Sequence, residues 1–389
     1  MAKTSSHSRP FLSSFHPNFS SSSSTTSAFL SFTFIHSFIH SFTSKSYIST
    51  MYLSETSSPI FPIPTTMRRS QTMSKFNPYH HLSISLNPDG SLSRLLHLPA
   101  FSSPAPADPV SFKDLPLNPS SSTSLRLFRP TNIPANDGVV ARLPILIYFH
   151  HGGWILHTAS DLITHRNCAD LVAQIPAIAI SVNYRLAPES RLPAQYDDAA
   201  DALLWVKTQM TDPHGDQWLK DFGDFSRCYL YGVGCGGNIA FFAGLKAVAA
   251  ASHLDPLKVA GIVMNQPMFG GVQRTNSELR FATDQLLPLP VLDLMWELAL
   301  PKGMDQDHRY CNPMVGGPHK ELIGELGRCL VIGFGGDPMV DRQQDFVKML
   351  TGCGAQVLAW FDDMGFHNVD LIDHRRAAAV MSLVKEFII

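Results

Sequence analysis

Tyr229-Leu230-Tyr231-Gly232-Val233-Gly234-Cys235-Gly236-Gly237-Asn238-Ile239-Ala240 is the stretch whose reading decides the fold. A β-rich apolar run enters a cluster of glycines and leaves it as a helix rich in alanine and phenylalanine. That is the setting of an elbow of the form Gly-x-Ser-x-Gly, in which a sharp strand-to-helix turn lifts the central residue above a sheet. The outer glycines of such a turn exist because any Cβ there would clash. Gly232 and Gly236 hold those two places, and the central residue is Gly234.

On either side of the elbow, short apolar runs alternate with helical patterns. Leu143 to Phe149, Ala177 to Val182, Cys228 to Tyr231, Val259 to Met264 and Cys329 to Phe334 each read as a strand buried on both faces. Gln356 to Phe361 reads as a further strand. Asp197 to Met210, Asn238 to Ala251, Asp341 to Leu350 and Arg375 to Ile388 read as helices. Strands spaced by helices predict an α/β fold with a mostly parallel sheet covered on both faces. No internal repeat is present.

Residues Met1 to Thr72 differ in character. They are rich in Ser, Thr and Phe, with one acidic residue, Glu55, against Lys3, Arg9, Lys45, Arg68 and Arg69. This reads as a disordered leader, either a transit peptide or a gene-model extension preceding a true start at Met73. The first case directs the protein to a plastid, and the second leaves it cytoplasmic. The folded domain is expected over residues 73–389. Its 44% share of hydrophobic residues over the whole chain suffices for one large core. A formal net charge of −2 supplies no basic field for nucleic acid or an anionic membrane. The apolar runs are too short to span a bilayer. Six scattered cysteines without a Cys-x-x-Cys pair suggest neither a disulfide framework nor a zinc site, and point to a reducing compartment.

Five motifs in order carry a resemblance. They are Ile147-Tyr148-Phe149-His150-His151-Gly152-Gly153-Trp154, Asn183-Tyr184-Arg185-Leu186-Ala187-Pro188-Glu189, the elbow with its Gly-Gly-Asn, Gly336-Asp337-Pro338 and Gly365-Phe366-His367. From about Phe76 to Ile389 the chain resembles the plant carboxylesterases of the hormone-sensitive-lipase group, which includes the gibberellin receptors. The resemblance implies an α/β-hydrolase fold with an N-terminal lid over about residues 76–110, the Asn-Pro-Asp-Gly turn lying within it. It also implies a substrate that is a small uncharged ester or a plant metabolite, with no cofactor and no metal.

Carried over by the resemblance, the catalytic acid falls on Asp337 and the general base on His367, and the nucleophile position falls on Gly234. The oxyanion-hole amides fall on Gly152, Gly153 and Cys235. The family's His-Gly-Gly-Gly has its first glycine replaced by His151. With no side chain at 234, acyl-enzyme hydrolysis is expected to be absent or very weak. Cys235 is a poor substitute, because β-branched Val233 stands where its own elbow would require glycine. Tyr184, Arg185, Asp197 and Asp198 are read as a structural ion-pair network, and Trp154 and Phe366 as pocket wall. Asp307, His308 and Cys311 are read as a loop anchoring a cap. Two functions remain open: an enzyme using His367 as a base for elimination, cyclisation or rearrangement, and a non-hydrolytic ligand-binding protein.

Overall fold

The computed structural model describes residues 76–96, 98–102, 108–133, 135–136 and 139–389. The leader expected over residues 1–72 lies outside them. The large sheet has eight strands: β1 (Val110–Asn118), β2 (Thr123–Pro130), β3 (Leu143–Phe149), β4 (Ile178–Asn183), β5 (Gly223–Val233), β6 (Val259–Asn265), β7 (Arg328–Phe334) and β8 (Val357–Asp362). Their spatial order is β1-β2-β4-β3-β5-β6-β7-β8. Pairing is parallel from β4 through β3, β5, β6 and β7 to β8, and antiparallel at β1–β2 and β2–β4.

Strand alternation sorts the core into two layers, since successive side chains leave opposite faces of a sheet. Along β3, Ile145, Ile147 and Phe149 enter one cluster while Leu146 and Tyr148 enter the other. The first layer takes its helical partners from α2 (Ala194–Thr211), α3 (Cys235–Ala249), α4 (Leu289–Ala299) and α5 (Val340–Gly352). The second is closed by α1 (Leu162–Gln174) and α6 (His374–Ile388). The elbow helix α3 is buried nearly all round. Phe241 alone, fully buried there, contributes about 2–3 kcal/mol by leaving water.

The six strands read from the sequence match β3 to β8 within a few residues. Of the elements labelled above, β1, β2, α1 and α4 escaped that reading. Edge strand β1 alternates exposed and half-buried residues, and β2 carries a buried Arg126 paired with Asp114 at 2.6 Å, so neither shows a continuous apolar run. Helix α1 contains Thr, His, Arg and Asn amid its apolar residues, and α4 starts at a proline-rich stretch.

Ahead of the sheet, a helical turn (Pro78–His81) leads into a hairpin (Ile84–Leu86 with Leu92–Arg94). Arg94 fastens this hairpin to the body. It pairs with Glu189 at 2.9 Å, and donates to the carbonyls of Ile155 (2.6 Å) and Ala187 (2.9 Å). Among the described residues no helix is long and apolar enough to cross a membrane.

Candidate functional site

Every motif residue of interest lies just beyond the carboxyl end of a parallel strand, where open α/β sheets place their ligand crevices. His150 to Gly153 follow β3, Gly234 follows β5, Asp337 follows β7, and His367 follows β8.

Gly234 caps α3 with φ 58° and ψ −122°, a conformation strained for any residue with a side chain. Its neighbours cannot be enlarged. A Cβ on Gly232 would collide with the Gly236 carbonyl, and one on Gly236 with the Phe149 carbonyl. A Cβ on Gly234 would collide with nothing. It would stand 3.4 Å from His367 Nε2 and 3.6 Å from His151 Cβ. The central position of the elbow is therefore aimed at the histidine ring.

His367 is held for that encounter. Its Nδ1 donates to Asp337 Oδ2 at 2.8 Å, and both side chains are almost fully buried. The Asp337 carboxylate also accepts from the Met339 amide (2.9 Å) and from Gln343 Nε2 on α5 (3.0 Å). With Nδ1 committed to Asp337, Nε2 is left facing Gly234. Burial opposes a charge on this ring, but the Asp337 carboxylate and its hydrogen bond more than offset that, with help from Asp370 and Asp284. The His367 pKa is raised above its ordinary value.

Beneath the histidine loop, Asp370 accepts from Asn265 Nδ2 (2.7 Å) and Gln266 Nε2 (2.8 Å), while Gln266 Oε1 accepts from the Asn368 amide (2.7 Å). The same Asn265 takes the Gly234 amide on its carbonyl at 2.9 Å. One residue at the end of β6 thus fastens both the elbow and the loop bearing His367. Gln343, Asn265, Gln266 and Asp370 were invisible in the sequence, since each belongs to no motif and acquires its partner only across the fold.

The glycine loop after β3 lies opposite. Gly152 (φ 118°), Gly153 (φ 63°), Trp154 (φ 64°) and His157 (φ 72°) all have positive φ. The two non-glycine residues cost about 1–3 kcal/mol each in strain, held by bonds such as Leu156 N–H to Gly152 O (3.0 Å) and Ala187 N–H to Trp154 O (2.9 Å). The Trp154 amide donates to Cys235 Sγ at 3.3 Å, tying this loop to the first turn of α3. As the first residue of that helix, Cys235 has an amide with no intrahelical acceptor. Its thiol turns away from Gly234, lies near Tyr184 Oη and the His150 carbonyl, and is pushed up to about 11 by burial. It is a thiol packed in the core.

Tyr184 stands apart from the ion pairs expected of it. Its hydroxyl donates to the His150 carbonyl at 2.8 Å and its ring stacks on His150 at 4.2 Å, so it props the loop before Gly152. Arg185 and Asp198 do pair, at 2.6 Å, and Asp197 instead pairs with Lys246 at 2.9 Å. Trp154 is likewise core and not pocket wall, fully buried against Trp296 of α4 at 4.4 Å. Phe366 is 39% exposed. Asp307 accepts from the Val272 amide at 3.1 Å and the Cys311 carbonyl from Gly270 at 2.9 Å, which makes their loop an anchor for residues 270–272. His151 is buried with its Nδ1 unpartnered, and burial together with His157, His150 and His367 drives its pKa well below the usual range. Among the described residues no group of His, Cys, Asp and Glu could hold a metal ion.

Comparison with known proteins places these features in a family. Residues 146–370 match the model of the alpha/beta hydrolase fold. Over 317 residues the chain is 50% identical to probable carboxylesterase 9 of Arabidopsis thaliana, covering 80% of this chain and 97% of that one. It is 45% identical over 295 residues to the 3-O-acetylpapaveroxine carboxylesterase CXE2 of Papaver somniferum, covering 73% and 93%. Among solved structures, a thermostable esterase from Pseudomonas putida superposes with a TM-score of 0.60 at 23% identity, over 71% of this chain and 82% of the other. That likeness concerns the fold.

Proposed function

The chain belongs to the α/β-hydrolase-fold family and within it to the plant carboxylesterases, and from that premise we propose that it keeps the base of an esterase without the nucleophile. In this reading Gly234 stands where a serine would attack, His367 is a general base oriented by Asp337, and the amides of Gly152, Gly153 and Cys235 stabilise negative charge on a carbonyl oxygen. The ligand is a small uncharged ester or a related plant metabolite carrying such a carbonyl.

The observation that carries this is the position of His367 Nε2, 3.4 Å from where a Cβ on Gly234 would be. A serine there would put its hydroxyl within reach of the imidazole. Glycine leaves the ring free to take a proton from a water or from the substrate itself. Removing the nucleophile of a serine hydrolase costs on the order of 10⁶ in turnover, about 8 kcal/mol of barrier. Acyl-enzyme hydrolysis is therefore lost, while proton abstraction is not. The three hydrogen bonds accepted by Asp337 favour a working base over a pure receptor, because binding alone needs no oriented imidazole.

The test is a paired assay with a short-chain nitrophenyl ester. The natural protein is expected to show turnover near background and Gly234→Ser a gain of at least ~10³-fold, from the magnitude above. Fast hydrolysis by the natural protein, or labelling of one of its hydroxyls by a fluorophosphonate, overturns the reading.

A further inference from the structure

The loop that carries His367 closes into a single 3₁₀ turn, Val369–Leu371, whose middle residue is a carboxylate outside every motif. Asp370 Oδ2 accepts from Asn265 Nδ2 at 2.7 Å, and Oδ1 from Gln266 Nε2 at 2.8 Å. Both donors are neutral amides on side chains fully shielded from water. Such donors satisfy the lone pairs of a carboxylate and leave its charge in place. Among the described residues no Lys, Arg or His nitrogen lies within ion-pair distance of Asp370. The cation that answers it is farther off. Burial pushes the Asp370 carboxyl up and the His367 charge pulls it back, while Asp370 in turn favours the charged form of the His367 ring.

The two amide residues reach the elbow as well as the histidine loop. Asn265 accepts the Gly234 amide on its carbonyl at 2.9 Å, and Gln266 Oε1 accepts from the Asn368 amide, next to His367, at 2.7 Å. Gln266 and Asn368 both have left-handed backbones, with φ 50° and 61°. Residues with side chains keep that conformation only where their surroundings impose it. Here the Gln266 amide is pinned on the Ile332 carbonyl at 2.8 Å. Tying two loops together requires no charge, and a carboxylate costs more to take out of water than another amide would. What the charge adds is its action on the imidazole.

Resting on the base reading above, we propose that Asp370 is a positioning residue for His367 in two separable ways: through Asn265 and Gln266 it locks the histidine loop to the elbow, and its negative charge joins that of Asp337 in stabilising the imidazolium. The groups acting on the ring are Asp337 after β7, Asp370 on its own turn, Asp284 ahead of α4, and His151 on the glycine loop. Asp370 also faces Tyr148 of β3 and Tyr231 of β5, which burial keeps neutral. His151 is neutral at working pH, since burial drives its pKa well below the usual range. Three carboxylates therefore act on the base, and of these Asp370 is the one bonded to the residue that holds Gly234.

The experiment follows the His367 imidazole by nitrogen NMR titration of the full chain, its resonance assigned by its loss in His367→Gln. Beside it runs the pH–rate profile of Gly234→Ser with a nitrophenyl ester. Asp370→Asn removes the charge, and both the His367 midpoint and the acid limb of the profile are expected to move to lower pH. Gln266→Met keeps the charge and cuts the lock. It is expected to leave the midpoint in place and to lower kcat on the order of 10²-fold, the cost of a catalytic group displaced by about 1 Å. The contrast separates the two roles, because loosening alone would weaken the Asp337 bond and also lower the midpoint. Equal displacement of the midpoint in both variants, or none in Asp370→Asn, overturns the charge role. Undiminished turnover in Gln266→Met overturns the lock. Asp370→Ser, uncharged and still an acceptor, serves if Asp370→Asn does not fold. If Gly234→Ser hydrolyses no ester, the base reading has failed. The titration of the natural protein then still decides the charge role, and hydrogen exchange at the Gly234 amide, expected to quicken in Gln266→Met, decides the lock.

Discussion

At position 234 the proposed reading gives the missing side chain opposite effects on chemistry and on folding. The backbone there has φ 58°, so serine would restore an attacking oxygen at a strain of about 1–3 kcal/mol. Gly234→Ser should therefore melt several degrees below the natural protein in a thermal scan, even as it gains esterase activity. His367 supplies a pH signature. Its pKa is raised above 6.5, so the neutral ring that can act as base accumulates only as pH climbs past that raised value. The esterase activity of Gly234→Ser should rise toward alkaline pH with a midpoint above 6.5. The associated stability runs the other way: the Asp337–His367 attraction is fully present below 6.5 and fades as pH passes through the folded-state pKa. In Asp337→Asn the activity midpoint should fall, and the alkaline loss of stability should shrink when melting temperature is measured against pH. Cys235, with its thiol pushed up to about 11, should resist iodoacetamide in the folded protein at neutral pH. Rapid alkylation there would contradict its burial.

At the scale of elements, the elbow is a strand and a helix that touch through glycine. Gly232→Ala or Gly236→Ala drives a methyl group into backbone carbonyl oxygen, which cannot yield as a side-chain end can. Each should lose well over 3 kcal/mol and be recovered mainly insoluble. Helix α5 has a subtler part. Gln343 reaches the Asp337 carboxylate from its first turn, and Gln343→Leu leaves that buried oxygen short of a donor. A loss of about 1–3 kcal/mol is expected in denaturant unfolding. The elbow glycines could be read along the chain because local geometry demands them there, and Asp337 through the resemblance that its Gly336-Asp337-Pro338 motif carries. Gln343 could not, since nothing in its own helix distinguishes it from a surface glutamine.

For the whole domain, the N-terminal hairpin and the glycine loop are held as one unit by Arg94, which bonds Glu189, Ile155 and Ala187 together. The ion pair is partly exposed and worth at most about 1 kcal/mol. Its loss should be felt locally. Arg94→Ala is expected to speed limited proteolysis around residues 84–94 while the melting temperature falls by less than about 4 °C. A melting point lowered by ten degrees or more would mean that the hairpin is part of the core.

The sequence by itself determined the alternation of strands and helices, the elbow, and the chain order of glycine, aspartate and histidine. Apolar periodicity and the steric demand for glycine act between near neighbours and leave their mark on the chain. Only the tertiary structure decided that Nε2 of His367 faces Gly234, that Tyr184 props a loop where an ion pair was expected, and that Asp370 meets Asn265 and Gln266 beneath the histidine loop. Side-chain direction and hydrogen-bond partnership depend on backbone dihedrals and on atoms brought together from distant strands. No pattern of residue types along one chain encodes those distances.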